Sequence, residues 1–267
     1  QDSLLEDEIS KYKYSNIIQI SKKSFENIYD FAFRVIRKIS GYRINSRGTY
    51  TNKVNRYLKN KYYDAIIVET NERMAREIYL MNSSVSLLHV HADFLSINNK
   101  NTFDMLNRYS YVVGISDYIS SKLYTLDSAF KVKTLKNAIA VKSYDRTKFI
   151  NFRKNMRAKF GFADNDIIFV YCSRLSPEKG CLELIMATKL VANAKLLIIG
   201  GENFSSNKET QYTIKLKSAA DSIKQRVHFT GYISHDEIPQ YLSIGDVGVV
   251  PSVCNEAASS TMLEMHA

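Results

Sequence analysis

Residues 166–180 read DIIFVYCSRLSPEKG, an apolar run followed at once by a polar turn. The run is short and rich in β-branched and aromatic side chains, which favours a buried strand. The turn contains Pro177 and ends at Gly180, and a mostly apolar segment of helical length, 182–191, follows it. These residues therefore predict a strand–turn–helix unit, which is the repeating element of a parallel sheet.

The same alternation of short apolar strands and helices continues on both sides of this stretch. Strands are predicted at 64–68, 85–90, 111–115, 132–135, 166–171, 194–199, 226–229 and 247–250. Helices are predicted between them, for example at 116–123, 209–222 and 236–242. Such alternation indicates parallel sheets that are covered on both faces. We therefore predict an α/β protein with two Rossmann-like, doubly wound domains in tandem.

The length of 267 residues suits two domains. A polar, basic segment with only a weak helical pattern separates the two series of strands, and we place the linker at 141–149. The predicted domains are residues 1–147 and residues 148–267, the latter truncated. Because the sequence begins without Met and ends inside a helical pattern, we expect it to be a segment of a longer chain, incomplete at both ends.

Positive charge is concentrated near the start of the sequence. The chain has 37 basic and 27 acidic residues, and residues 21–61 alone carry a net charge of +9 among interleaved apolar side chains. One interpretation is an amphipathic helix whose apolar side packs on the core. The other is peripheral contact with an anionic membrane surface, where each Lys or Arg contributes on the order of 1 kcal/mol. No nucleic-acid-binding motif is present, so we expect no nucleic-acid partner.

Other sequence features limit the class of protein. There is no apolar run of about 18 residues, so no membrane-spanning helix is expected. The three cysteines are scattered and odd in number, which predicts free thiols and a reducing, cytoplasmic environment.

Two basic residues follow the strand predicted at 166–171. Arg174 and Lys179 lie five residues apart on a strand-to-helix turn, where a planar guanidinium and an ammonium can hold a diphosphate. The alternative is plain helix capping, with Ser176 at the N-cap and Pro177 at the first helical position.

A second candidate segment follows the last predicted strand and begins at Glu256. Its two carboxylates, Glu256 and Glu264, can accept hydrogen bonds from sugar hydroxyls. The backbone N–H groups of Ser259, Ser260 and Thr261 can meet a phosphate at a helix start. The alternative is a capping box between Thr261 and Glu264.

Two further features lie at predicted strand ends. Gly200 and Gly201 allow a phosphate or ribose to approach the backbone, although a tight turn explains them equally well. His89 and His91 face the same side of a strand. No third ligand is evident near them in the sequence, so no metal site is predicted. A general base, a sugar-binding histidine and a structural histidine remain open.

Taken in order, these segments resemble glycosyltransferase family 4. The segments that carry the resemblance are 113–119 (VGISDYI), 135–140 (LKNAIA), 173–180 (SRLSPEKG), 227–232 (VHFTGY), 241–246 (YLSIGD), 249–252 (VVPS) and the pair Glu256 and Glu264. The resemblance implies the GT-B fold, in which two Rossmann-like domains face a cleft. It also implies retaining transfer of a sugar from a nucleotide diphosphate sugar, such as a UDP-sugar, to a hydroxyl.

The resemblance also implies partners and a biological setting. A lipid-linked glycan acceptor, used in cell-surface or capsular polysaccharide synthesis, fits the basic stretch, as does a position at the inner face of the plasma membrane. Neither a metal nor another cofactor is implied. Alternative interpretations are a non-catalytic, nucleotide-sugar-binding partner subunit and a phosphorylase on the same fold.

Site residues are carried over from the family's motifs. Arg174 and Lys179 would hold the diphosphate, Glu264 the ribose and Glu256 the donor sugar. The implied donor-binding set is Arg174, Lys179, Gly201, Tyr232, Ile233, Glu256, Ser259, Ser260, Thr261 and Glu264. The implied catalytic set is Glu256, Arg174, Lys179 and His91, the last as a histidine that contacts the acceptor or the sugar.

Overall fold

The computed structural model of the chain describes residues 49–69, 72–78, 80, 82–93, 100–126, 131–201 and 210–267. They form two compact units that divide between Lys136 and Asn137, here called the first and the second unit. Each unit contains one parallel sheet of four strands, which confirms the predicted α/β fold. The predicted domain boundary at 147/148 stays a prediction, and most of the basic stretch 21–61 lies outside the described residues.

The first unit has the strand order β1-β2-β3-β4. Its elements are α1 (Thr49–Lys59), β1 (Tyr63–Glu69), α2 (Glu72–Glu77), β2 (Ser83–Val90), α3 (Lys100–Leu106), β3 (Tyr111–Gly114), α4 (Asp117–Leu126) and β4 (Val132–Thr134).

Apolar side chains in the strands and in α4 form the core of the first unit. Leu88 and Val90 of β2 are fully buried, and α4 buries Ile119, Leu123 and Leu126, which share one helical face. In the register of the sheet, Glu69 pairs with His89. The carboxyl ends of β1 and β2 therefore lie side by side.

The second unit has the strand order β7-β6-β5-β8. Its helices and strands are α5 (Ile150–Lys159), β5 (Ile168–Cys172), α6 (Cys181–Leu190), β6 (Lys195–Ile199), α7 (Gln211–Ala220), β7 (Val227–Gly231), α8 (Ile238–Leu242), β8 (Val247–Gly248) and α9 (Ser260–His266). Short 3₁₀ turns occupy Val141–Tyr144, Arg146–Phe149, Pro177–Lys179, Asp221–Ile223 and His235–Glu237.

Strand β6 explains why both faces of the second sheet are covered. Leu196 and Ile198 face one apolar cluster, and the alternate residues Leu197 and Ile199 face another. All four side chains are fully buried. This continuous apolar strand is what a parallel sheet with helices on both faces requires.

The strand order of the second sheet indicates where a ligand would bind. Strand β5 pairs with β6 on one side and with β8 on the other, so the direction of winding reverses between β5 and β8. Ligands of open α/β sheets bind beyond the carboxyl ends of the strands at such a reversal. The turns that follow β5 and β8 are therefore where a ligand site is expected.

The sequence pattern indicated helix α5 only weakly, whereas the structure contains it over its full ten residues. Its inward face mixes apolar and basic side chains, because Phe152 and Met156 pack against an apolar cluster while Arg157, on the same helix, is also buried. Arg153 and Arg157, one helical turn apart, donate to the backbone carbonyl of Ile244 and to Asp246. The segment predicted as a linker, 141–149, contains two 3₁₀ turns.

Across the described ranges, every helix is too short or too polar to span a bilayer.

Candidate functional site

A cavity of about 500 Å³ opens at the carboxyl ends of β5 and β8 in the second unit. All ten residues of the predicted donor-binding set line it: Arg174, Lys179, Gly201, Tyr232, Ile233, Glu256, Ser259, Ser260, Thr261 and Glu264. Four separate turns contribute these side chains, and the reversal of strand order brings the turns together. The roles of the residues remain predictions.

Close backbone contact fixes the turn after β5 against the segment after β8. Gly180 has a φ of 70°, and a Cβ on it would lie 1.9 Å from the carbonyl oxygen of Pro251. The backbone N–H of Val253 also donates to the carbonyl of Glu178, at 3.0 Å. Only glycine allows this approach at this position, and the approach holds Lys179 beside Glu256.

Lys179 and Glu256 form an ion pair in the wall of the cavity. Nζ of Lys179 lies 2.6 Å from Oε1 of Glu256, and the hydroxyl of Ser252 donates to the same oxygen at 2.5 Å. Burial alone raises the pKa of Glu256, but the hydrogen bonds from Lys179 and Ser252 outweigh it and lower the pKa below its ordinary value. Glu256 is therefore an ionised acceptor at neutral pH.

Arg174 is the less constrained of the two cations. Its Nη2 lies 3.6 Å from Oε1 of Glu178, and its side chain is 56% exposed. An exposed pair of this kind contributes at most about 1 kcal/mol, so a ligand can displace it at little cost. The backbone is held more firmly, since the hydroxyl of Tyr171 donates to the carbonyl of Arg174 at 2.9 Å.

The capping alternative for this turn holds only in part. Ser176 occupies the N-cap and Pro177 begins the 3₁₀ turn, as that interpretation predicts. The Ser176 hydroxyl, however, makes no capping hydrogen bond and donates to Glu178 at 2.7 Å. That hydrogen bond, followed by the backbone N–H of Glu178, lowers the pKa of the Glu178 carboxyl.

The capping-box alternative for the last helix is wrong. Helix α9 begins at Ser260, and its N-cap is Ser259, whose hydroxyl accepts from the N–H of Met262 at 3.3 Å. Thr261 therefore lies inside the helix. Glu264 is left to face the cavity, as the functional interpretation requires.

Tyr144 is a neighbour of Glu264 that the sequence did not reveal. Burial, and then the charge and hydrogen bond of Glu264, raise the pKa of the Tyr144 hydroxyl, which stays a neutral donor to the carboxylate. Tyr144 lies in the segment predicted as a linker, which has no pattern that marks it. Burial also raises the pKa of the nearby Cys172 thiol to about 12, so that thiol is not a nucleophile.

The glycine turn after β6 forms another wall of the cavity. Gly200 has a φ of 139°, and a Cβ on it would lie 2.0 Å from the carbonyl oxygen of Ser173. Its N–H donates to the carbonyl of Gly231 at 3.0 Å. The turns after β5, β6 and β7 are thereby held together, and Tyr232 and Ile233 come to line the cavity.

His91 belongs to the first unit, whereas the ten predicted donor-binding residues belong to the second. Its Nε2 is 2.6 Å from Oε2 of Glu69 and 2.9 Å from Nδ1 of His89. The expectation that no third ligand-type side chain lies near the two histidines is wrong. Glu69 was missed because it comes from the neighbouring strand, which only the register of the sheet could have revealed.

Comparison with known proteins finds one family that matches most of the second unit. Residues 152–267 match the family Glycosyl transferases group 1. The matched segment contains every residue of the candidate cavity, whereas His91 lies outside it. The solved structures that share the fold of the chain are GT-B glycosyltransferases.

Two curated relatives carry glycosyltransferase names, in agreement with the family match. YtcC of Bacillus subtilis, whose name makes it a candidate glycosyltransferase, is 29% identical over 199 residues, which cover 70% of this chain and 48% of YtcC. The lipopolysaccharide 1,2-N-acetylglucosaminetransferase of Salmonella typhimurium is 25% identical over 209 residues, which cover 76% of this chain and 52% of that enzyme. The chain therefore spans about half the length of the curated relatives it matches.

One solved structure illustrates the shared fold. The Anabaena protein HepE, in complex with UDP and glucose, superposes with a TM-score of 0.60 at 20% identity and covers 84% of this chain and 61% of its own. At this identity the similarity establishes the fold alone.

Proposed function

We propose that the chain forms part of a retaining glycosyltransferase that moves a sugar from a UDP-sugar to a hydroxyl acceptor. The observation that supports this most is the cavity at the strand-order reversal. It gathers two cations, two carboxylates and a helix start, all of them residues that the resemblance assigns to donor binding.

In the proposed reaction, negative charge develops on the departing diphosphate. The guanidinium of Arg174 and the ammonium of Lys179 stabilise that charge, helped by the N–H groups of Ser260 and Thr261. Because Lys179 is already paired with Glu256, the diphosphate would share this ammonium with the carboxylate rather than meet a free cation. These side chains supply the charge, so the step needs no metal at the diphosphate.

The carboxylates position the rest of the donor. Glu256 is ionised and accepts hydrogen bonds from hydroxyls of the donor sugar. Glu264 accepts from the ribose, with Tyr144 donating to the same carboxylate and orienting it. The backbone at Tyr232 and Ile233 brackets the base, and the complex of HepE with UDP supports uracil.

Two observations support a lipid-linked glycan as the acceptor. The Salmonella relative acts, by its name, on lipopolysaccharide, which supports a lipid-linked glycan acceptor. The net charge of +9 on residues 21–61 fits the inner, anionic face of the plasma membrane. His91 is proposed to contact the acceptor or the donor sugar.

Calorimetric titration with UDP tests the donor site. Arg174→Ala and Lys179→Ala should each weaken binding about tenfold or more, because each removes a charge-assisted hydrogen bond of roughly 1.5–3 kcal/mol. Lys224→Ala is the matched control, since Lys224 is exposed and does not line the cavity. Unchanged UDP affinity in both cavity variants would refute the assignment.

Transfer itself is tested with a panel of UDP-sugars and a chain extended to the length of the relatives. Retention is read from the anomeric configuration of the product by NMR. UDP binding without transfer by that longer chain would favour the non-catalytic partner instead.

A further inference from the structure

Three side chains meet at the carboxyl ends of β1 and β2 in the first unit. Glu69 is the last residue of β1, and His89 is its registered partner in β2. His91 lies two residues beyond His89 and so points to the same side of the chain. Neighbouring parallel strands therefore bring one carboxylate and two imidazoles to one point.

The three ligand-type atoms form a small triangle. Oε2 of Glu69 is 2.6 Å from Nε2 of His91 and 3.0 Å from Nδ1 of His89. The two nitrogens are 2.9 Å apart. Within the described residues, this is the one group of three or more His, Cys, Asp or Glu side chains placed to hold a metal ion.

Hydrogen bonds cannot satisfy all three contacts at once. An ionised Glu69 only accepts, and each imidazole nitrogen is either a donor or an acceptor. If both nitrogens carry protons, both donate to Glu69 but their N–H groups oppose each other. If only one nitrogen is protonated, the other turns a lone pair toward the carboxylate. A cation at the centre makes all three lone pairs favourable together.

The dimensions fit a transition-metal ion. Tetrahedral zinc, with bonds of about 2.0–2.2 Å to nitrogen and oxygen, keeps its ligand atoms about 3.3 Å apart. The triangle needs only a small expansion to reach that spacing. Asp93, the next carboxylate along the chain, is held by Lys122 and by the Tyr118 hydroxyl at 3.1 Å, so it does not compete for the same ion.

Solvent reaches the site from one side. The side chain of His89 is 12% exposed, whereas those of His91 and Glu69 are 36% and 59% exposed. Three protein ligands with a fourth position open to water are a coordination that protein zinc sites use.

We propose that Glu69, His89 and His91 form a binding site for a divalent transition-metal ion, with Zn²⁺ the best match to the ligand set. The site is distinct from the candidate donor cavity and does not depend on the proposed transferase function. While the ion is bound, Nε2 of His91 is a ligand and cannot also act as a base or contact a sugar.

Titration of the untagged, chelator-treated chain with Zn²⁺ tests the proposal, with Co²⁺ absorption as a report on ligand geometry. We expect one ion per chain, and at least a tenfold loss of affinity in Glu69→Gln, His89→Ala and His91→Ala. The matched control is His266→Ala, because His266 is exposed near the end of α9 and should leave binding unchanged. Circular dichroism of each variant checks folding, and the two more exposed ligands, Glu69 and His91, provide variants that keep the core intact.

The melting temperature gives a second readout. Zn²⁺ should raise it in the wild type and in His266→Ala but not in the ligand variants, because an ion that binds only the native state stabilises that state. The proposal is overturned if the wild type binds Zn²⁺ no better than a His89→Ala/His91→Ala double variant. It is equally overturned if His266→Ala loses as much affinity as the ligand variants. UDP affinity, measured on the same samples, reports separately on the donor site.

Discussion

At the scale of single residues, Asp246 is the acceptor on which several basic side chains of the second unit converge. Its Oδ1 accepts from Arg153 at 2.6 Å, and its Oδ2 accepts from Arg157 at 3.2 Å and from the N–H of Ile168 at 2.9 Å. Arg157 is only 3% exposed. Burial raises the pKa of Asp246, but these hydrogen bonds and charges outweigh it and lower the pKa below its ordinary value.

Asp246→Asn should therefore destabilise the second unit in a pH-dependent way. Removing the charge leaves the buried Arg157 without its counter-ion, at a cost of roughly 3 kcal/mol at pH 7. A lowered folded-state pKa means that the contribution of Asp246 is present above its unfolded pKa of about 4 and is lost as the pH falls through the folded value. Urea unfolding at neutral and acidic pH should show the variant and the wild type converging in acid.

Asp164→Asn is the control for this experiment, because Asp164 is exposed and forms no ion pair among the described residues. Equal unfolding free energies for the two variants at pH 7 would contradict the assigned role of Asp246.

The single residues that the sequence could reveal are those with a local marker. Arg174 and Glu256 each follow an apolar run, where a parallel sheet exposes its functional edge, so position along the chain was enough to single them out. Glu69 also directly follows an apolar run, at 64–68, but the sequence does not show that it pairs with His89, and Tyr144 carries no marker at all. Each becomes significant only through a contact across the sheet or between distant segments, which spacing in one sequence does not encode.

At the scale of elements, the turns around the cavity depend on two close backbone approaches. Gly200→Ala should disrupt the one after β6, since its φ is 139° and a Cβ would lie 2.0 Å from the carbonyl oxygen of Ser173. We expect weaker UDP binding. We also expect the unfolding free energy to fall by at least about 1 kcal/mol more than it does in the control variant, Gly161→Ala.

The chain offers a matched control at Gly161. Its φ is also positive, at 70°, but an added Cβ would meet nothing within 4 Å. Gly161→Ala therefore costs only the conformational strain, roughly 1–2 kcal/mol, and should leave UDP binding unchanged. Calorimetry and chemical unfolding of both variants make the comparison, and equal losses of stability and UDP affinity would count against a steric role for Gly200.

Strands were easier to predict than helices at this scale. Strand β6, predicted at 194–199, is observed at Lys195–Ile199, because a strand buried on both faces must be continuously apolar. Helix α5 was indicated only weakly, since it packs on the rest of the second unit through Arg153 and Arg157 as well as through the apolar Phe152 and Met156. A helix that is held partly by guanidinium–carbonyl hydrogen bonds shows a weaker hydrophobic period.

At the scale of the whole molecule, the two units are expected to respond to different ligands. The proposed UDP site lies wholly within the second unit, and the proposed metal site lies wholly within the first. Repetition of the strand–helix pattern was enough to predict two α/β units. It could not predict which unit carries which chemistry, because that depends on the side chains at the strand ends.

Hydrogen exchange of the full chain, followed by mass spectrometry, should resolve the two responses. A ligand that binds only the native state suppresses local opening around its site. UDP should therefore slow exchange in peptides that cover 171–180, 199–201 and 249–264, and Zn²⁺ should slow it in peptides that cover 66–69 and 88–91. Arg174→Ala should lose the first effect and keep the second, and His91→Ala should do the reverse. If UDP leaves exchange in all three second-unit segments unchanged at saturating concentration, the proposed donor site is wrong even if the metal response appears as expected.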